Sequence, residues 1–252
     1  MKLKGHQMIS FEGKTVLITG AASGIGKACA QKLRAAGASL ALCDINIEAL
    51  KSLESELGPG TGTLSLHALN IADDQSCSSA IHEAVQSHGL IDHLINAAGI
   101  YPEVLVKDMT NVEWLNLMRV NLDGTFYICR AIIPYLSDKS SLVTIASVAA
   151  HRGSYSHAHY SASKGAVISF GKSLALELAP KTRVNMVSPG VIATPMTKDV
   201  IEKKGSTLME ITPLGRFGMP EEVADGIVFL CSNMASFVTG ATLHINGGLY
   251  LH

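Results

Sequence analysis

Seven short apolar runs recur along this chain with amphipathic stretches between them, and few architectures satisfy that pattern. The runs are Val16–Thr19, Ser39–Cys43, Thr63–Leu69, Leu90–Asn96, Leu142–Ala146, Arg183–Val187 and Thr242–Ile245. Helical periodicity marks Lys27–Ala36, Ile47–Leu57, Asp73–His88, Val112–Leu136, Ser161–Ala179 and Glu221–Ser232. A short apolar run can be a buried helix segment as well as a strand, but seven regular alternations favour strands. Near-continuous apolar strands suit a sheet covered on both faces. Strict strand–helix alternation calls for right-handed crossovers and parallel pairing. The expected fold class is therefore α/β.

The boundaries carry signals of their own. Pro180 stops the helix before it, and Pro220, Glu221 and Glu222 open another with an acidic first turn. Asp73 suits an N-cap, with Gln75 and Ser76 in the turn after it. The longest stretch without a clear period is Ile192–Met219, which reads as a lid or a binding loop. At 252 residues the chain sits near the ceiling of one hydrophobic core, roughly 250–300 residues. One domain is expected, with residues 1–10 a loose N-terminal extension.

Composition narrows the partners. Charged residues are 16% of the chain, against a usual value of about 25%, so much of the surface is either core or buried in an oligomer. The formal net charge of −1 argues against a nucleic-acid or anionic-membrane binder. No run approaches a membrane span, and no apolar segment follows the basic Met1–His6 stretch as a signal peptide would require. Cys29, Cys43, Cys77, Cys129 and Cys231 form no C-x-x-C pair. They read as free buried thiols in a reducing, cytoplasmic setting.

Between the first strand and first helix lies Thr19-Gly20-Ala21-Ala22-Ser23-Gly24-Ile25-Gly26. Gly20 permits a tight turn, Gly24 lets backbone approach a phosphate, and Gly26 lets helix and strand pack. The helix N-terminus offers free N–H groups to a pyrophosphate. A glycine cluster alone also fits an ordinary strand–helix turn; its place in the first strand–turn–helix unit favours a dinucleotide site. Asp44 ends the second strand, 24 residues after Gly20, where an acid is expected to accept from the adenosine ribose. Asp44 could instead cap the following helix. With no Arg or Lys in the glycine loop or directly after Asp44, NAD(H) is favoured over NADP(H). Together these features specify a Rossmann-like doubly wound seven-stranded parallel sheet with helices on both faces.

Tyr160 and Lys164 stand at i, i+4 on a strongly helical stretch, which puts phenol and ammonium on one face. A nearby cation favours phenolate and lowers a pKa of ~10 toward working pH. Ser147 follows the fifth strand, at the sheet end that lines the crevice of such folds. An exposed Tyr/Lys pair is the alternative, but Ser147, the glycine loop and Asp44 stand in register with it.

These residues resemble the short-chain dehydrogenase/reductase family, from about Phe11 to Tyr250. The matching motifs are the glycine loop, Asn96-Ala97-Ala98-Gly99, Asn121, the Ser147, Tyr160 and Lys164 set, and Pro189-Gly190. The resemblance implies that Tyr160 exchanges a proton with the substrate oxygen. Lys164 would lower the Tyr160 pKa and bind the nicotinamide ribose. Ser147 would orient the carbonyl, and Asn121 would hold a water behind Lys164. Asn96, Ala97, Ala98 and Gly99 would line the cofactor bed with Ile45, Asn70 and Ile71. Pro189, Gly190, Ile192 and Thr194 would fix the nicotinamide. Asn70 stands where many relatives carry Asp, and its side-chain oxygen can still accept from adenine. Ser23 stands where NADPH-using relatives place Arg or Lys, again consistent with NAD(H).

Within the family, Thr239–Tyr250 and Pro213–Gly218 resemble 3-oxoacyl-[acyl-carrier-protein] reductases. The expected activity is interconversion of a secondary alcohol and a ketone, on a 3-oxoacyl thioester or on a polyol, sugar or hydroxy acid. A non-catalytic NAD-binding scaffold is the alternative from another class. Pro134 and Leu176 occupy the helix positions of the carrier-docking arginines, which weakens the case for an acyl-carrier partner. A homotetramer is expected by resemblance. His151, beside Arg152, is a candidate substrate contact, as are Ala149, His157 and Met196. His157 and His159 could hold a metal, but no Cys or carboxylate joins them at ligand spacing, and none is expected.

Overall fold

In the computed structural model, which describes residues 9–251, all seven strands form one parallel sheet. They are β1 (Thr15–Thr19), β2 (Ser39–Asp44), β3 (Leu64–Ala68), β4 (Ile91–Asn96), β5 (Leu136–Ile145), β6 (Thr182–Pro189) and β7 (Thr242–Ile245). Their spatial order is β3-β2-β1-β4-β5-β6-β7. The order reverses at β1, where Val16 lies opposite Leu40 of β2 on one side and His93 of β4 on the other. Chains that wind outward both ways from such a point leave a crevice at the strands' C-terminal ends.

Helices cover both faces. On one, α1 (Gly24–Ala35), α2 (Ile47–Leu57) and α9 (Pro220–Cys231) pack against Val16, Ile18, Leu40 and Leu42. On the other, α3 (Asp74–His88), α5 (Gly124–Ile132) and α7 (Ala158–Leu178) pack against Leu17, Ala41, Leu94 and Leu142. Alternate residues of each strand thus enter different cores, which is why both parities had to be apolar. All five cysteines are free and buried. Asp73 caps α3, its carboxylate accepting from the Gln75 and Ser76 amides at 2.8 and 3.2 Å. Residues 1–8 of the expected N-terminal extension lie outside the described part of the chain.

Three departures from the sequence reading matter. The expected Val112–Leu136 helix is α4 (Asn111–Met118), a π-helical turn over Arg119–Asp123, then α5 and a short 3-10 turn. Pro134 sits in that last turn, and Leu136 already pairs with Ile91 as the start of β5. Pro lacks the N–H that a continuing helix needs. The Ile192–Met219 stretch carries a helix, α8 (Lys198–Glu210), entered through a 3-10 turn at Pro195–Thr197. Ala149–Arg152 forms a further short helix, α6, and α7 starts at Ala158, which puts Tyr160 in its first turn. No helix among the described residues is long and apolar enough to cross a membrane.

Candidate active site

The glycine loop runs from β1 into α1 at the reversal point. Gly20 has φ +64°, and a Cβ there would stand 2.8 Å from the Ala98 amide nitrogen. Gly26 is tighter still, with a Cβ 2.1 Å from the Gly20 carbonyl oxygen. Loop and helix therefore close on each other only without side chains. Ser23 precedes α1 but makes no side-chain cap, and no acid stands in the helix's first turn. Its first amides are left as donors beside the positive end of the helix, which suits a phosphate.

Asp44 holds the other side of this loop. Its carboxylate accepts from the Ala22 amide and the Asn46 amide, each at 3.0 Å. The alternative role as helix cap falls to Asn46, whose side chain accepts from Ala49 at 3.0 Å. The loop opens into a cleft of about 360 Å³. Every expected cofactor residue except Asn96 lines it, Gly20 and Asp44 at one end, Tyr160, Lys164 and Thr194 at the other. Asn96 is buried instead, accepting from the Thr19 hydroxyl at 2.6 Å and donating to Thr125 at 3.0 Å, so it pins β4 to β1 and α5. Free helix amides, an acid at the second strand and a long cleft together fit a nicotinamide dinucleotide. Gly20, Ser23, Gly24 and Asp44 would hold its adenosine diphosphate half, and Ile192 and Thr194 its nicotinamide.

The polar cluster sits at the cleft's inner end. Lys164 is buried, and its Nζ donates to the Ile145 carbonyl at 2.7 Å. That ammonium lies 5.7 Å from the centre of the Tyr160 ring. Asn121, in the π-helical turn, accepts from the Ile100 amide at 2.9 Å and donates to the Ile100 carbonyl at 3.0 Å. Such turns recur at functional sites because they free a side chain from helical register. A Cβ on Gly99 would meet Asn121 Oδ1 at 3.2 Å and Lys164 Nζ at 3.7 Å. Asn121 itself lies behind the cleft wall.

Burial sets the protonation of this cluster. It pushes Tyr160 up to about 12, against the smaller lowering effect of the Ser147 hydroxyl bonded to it. It pulls Lys164 down to about 8. The expectation that Lys164 holds Tyr160 below its ordinary value is thus reversed in the chain itself. The cost of a phenolate in a dry site outweighs the hydrogen bond from Ser147, and the nearby Tyr101 adds to the rise. Tyr160 is a phenol and Lys164 is mostly charged at neutral pH.

A second cavity of about 410 Å³ adjoins the first and shares Ser147, Tyr160, Gly190, Met196 and Thr197 with it. Of the substrate candidates, Ala149, His157 and Met196 line it. His151 does not. It stacks on Tyr250, with ring centres 4.9 Å apart, beside His244 at the end of β7. His157 is 2% exposed and lies flat on Tyr101, ring centres 3.9 Å apart. Tyr101 in turn meets Tyr160 edge-on at 4.5 Å. Arg152 and Leu208 line the second cavity too, and so do Tyr101 and Lys204, which the sequence reading did not single out. Tyr101 follows Gly99 by two positions in the loop after β4, the one signal that could have found it; α8 brings Lys204 and Leu208 from far along the chain. His159 is buried away from both cavities.

Comparison with known proteins agrees with this geometry. The family model described as enoyl-(acyl carrier protein) reductase matches residues 20–250. The 3-oxoacyl-[acyl-carrier-protein] reductase of Thermotoga maritima is 42% identical over 95% of this chain and 99% of its own. A Brucella melitensis structure described as a short-chain dehydrogenase/reductase, glucose/ribitol dehydrogenase, superposes with a TM-score of 0.94 at 43% identity, covering 97% of this chain and 99% of that one. A 3-ketoacyl-(acyl-carrier-protein) reductase from the same organism, complexed with NADH, gives 0.89 at 30% identity, covering 96% and 100%. The chain belongs to the short-chain dehydrogenase/reductase family of nicotinamide-dependent oxidoreductases.

Proposed function

We propose that this chain reduces a ketone to a secondary alcohol with NADH, using Ser147, Tyr160, Lys164 and Asn121. The observation that carries the reading is one cleft lined by Asp44 at one end and by Ser147, Tyr160 and Lys164 at the other, with the Lys164 ammonium 5.7 Å from the centre of the Tyr160 ring. When bound, reduced nicotinamide supplies the hydride. Ser147 donates a hydrogen bond to the carbonyl oxygen and fixes its place. As negative charge builds on that oxygen, the Tyr160 hydroxyl gives it a proton. The Lys164 ammonium, anchored on Ile145, stabilises the phenolate left behind. Asn121 clamps both backbone groups of Ile100 and so holds the wall behind Gly99 and Lys164; a water held there would return the proton.

Asp44 supports NAD(H) over NADP(H), because its carboxylate would repel a 2′-phosphate. Exposed Val112, Leu115 and Phe126 on α4 and α5, with Leu176 on α7, support a homotetramer built through these helices. We place the enzyme in the cytoplasm, acting on a small molecule, as one domain. Two of the relatives named above are described as 3-oxoacyl- or 3-ketoacyl-(acyl-carrier-protein) reductases, so an acetoacetyl thioester is the first substrate to test, with NADH and NADPH in parallel. Turnover with NADH is expected, and Tyr160→Phe should lower kcat by about 10²–10⁴ while NADH still binds. Full activity in Tyr160→Phe would refute the assigned chemistry.

A further inference from the structure

The second cavity has an unbalanced rim. Its wall includes Arg152 and Lys204 and no Asp or Glu. Among the described residues no carboxylate pairs with Arg152, whose guanidinium reaches only the Leu249 carbonyl, at 3.4 Å. Lys204 shares Glu103 with Lys203, at 3.2 and 3.9 Å. Of the two cations on this wall, Lys204 has an acid beside it and Arg152 has none among the described residues. The interior is different: Val148, Ala149, Val191, Met196 and Leu208 make its apolar wall. Half-buried Tyr160 and buried His157 lie on either side of Tyr101. Charge of one sign around an apolar pocket focuses the field on whatever enters.

We infer that the substrate carries its own negative charge: the cavity takes a small oxo acid and releases the hydroxy acid, with the ketone at Ser147 and Tyr160 and the carboxylate at the Arg152–Lys204 rim. This rests on the ketone reduction proposed above. The cavity of about 410 Å³ has room for a short carbon chain between the reacting centre and the rim. A carrier thioester has its nearest charge a whole pantetheine arm away, beyond this mouth. Pro134 and Leu176, both exposed, stand at the positions where the family resemblance puts carrier-docking arginines. Arg152 matches a carboxylate because its planar fork offers two parallel donors.

His157 fits the inner part of the scheme. Its Nδ1 meets the Tyr155 carbonyl at 2.8 Å, so it carries the proton, and burial holds the ring pKa below its usual value. Its Nε2 is buried with no partner. A neutral acceptor there would repel a carboxylate and accept from a hydroxyl, so the acid end belongs at the rim and the alcohol end inside.

The test compares matched pairs at saturating NADH: acetoacetate, 4-oxopentanoate and 5-oxohexanoate, each against its methyl ester, with acetoacetyl-N-acetylcysteamine as the neutral thioester. At least one acid should exceed its ester in kcat/KM by about tenfold at low salt, and about 0.5 M salt should erode that preference. Arg152→Ala should cut the acid-to-ester ratio by about fivefold, Arg152→Ala with Lys204→Ala further, and Arg152→Lys should restore part of it. Arg152 and Lys204 are exposed, so these variants should fold. Esters or the thioester matching every acid, or a ratio unmoved in the double variant, would overturn the inference and leave ketone reduction standing. No NADH oxidation with any ketone, charged or neutral, would instead refute the reduction itself and the inference with it.

Discussion

Replacing Lys164 by Met should make the protein inactive and more stable. The lysine is buried, and its pKa falls from 10.5 to about 8. A drop of about 2.5 units at ~1.36 kcal/mol each costs the fold ~3 kcal/mol while the ammonium is charged. Met fills similar volume without that charge. It gives up the bond to the Ile145 carbonyl, worth roughly 1.5 kcal/mol to a charged donor, so the net gain is about 1–2 kcal/mol. The sign follows from proton uptake. The folded pKa lies below the unfolded one, so between about pH 8 and 10.5 the unfolded chain binds more protons and wild-type stability rises with pH. The penalty is complete below pH 8 and gone above 10.5. At roughly 2–4 °C per kcal/mol for a chain of this size, Lys164→Met should raise the Tm by about 2–8 °C at pH 7. At pH 10.5 it should confer nothing, or a small loss. Paired calorimetric melts at the two pH values measure this. A variant that melts below wild type at pH 7, or an offset equal at both pH values, would refute the argument that burial dominates at this residue.

Other outcomes follow from the same geometry. The kcat/KM for NADH, which reports the free enzyme, should be level near pH 7 and fall about tenfold per unit above about pH 8 as Lys164 discharges; a plateau up to pH 10 would remove Lys164 from cofactor binding. Gly26→Ala puts a methyl 2.1 Å from the Gly20 carbonyl, and a loop displaced by ~1 Å should weaken NADH binding about 10²-fold, read by fluorescence titration. Asp44→Ala should narrow the NADH-over-NADPH preference by about tenfold or more, since a like-charge clash costs several kcal/mol. It should also raise the KM for NADH, because the Ala22 and Asn46 amides lose their acceptor; a ratio that does not move would take the discrimination away from Asp44.

Legibility in the sequence tracked how local each cause was. Strands buried on both faces must be apolar at every position, so β1 and β2 were plain from composition alone, and a turn that admits no Cβ announced Gly20 and Gly26. Tyr160, Lys164 and Ser147 could be placed because strand ends and helix spacing fix their direction. The π-helical turn at Asn121 could not be read, since its extra residue disturbs no hydrophobic period strongly enough to stand out from α4 and α5. Nor could α8: Lys198–Glu210 buries no side chain fully, so it has no apolar stripe to betray it, yet it delivers Lys204 to the cavity mouth. His151 was expected at the substrate for its place beside Arg152, whereas α6 turns that ring toward β7 and Tyr250. The Tyr160–Lys164 pair marks the boundary most clearly. Its i, i+4 spacing is a property of five residues, and spacing alone predicted a phenol drawn downward by its neighbour. The burial that drives the phenol up and the ammonium down comes from β5, the Gly99 loop and the wall behind Asn121 together. The proton-donor role proposed for Tyr160 therefore rests on the surroundings that the sheet builds as well as on the motif.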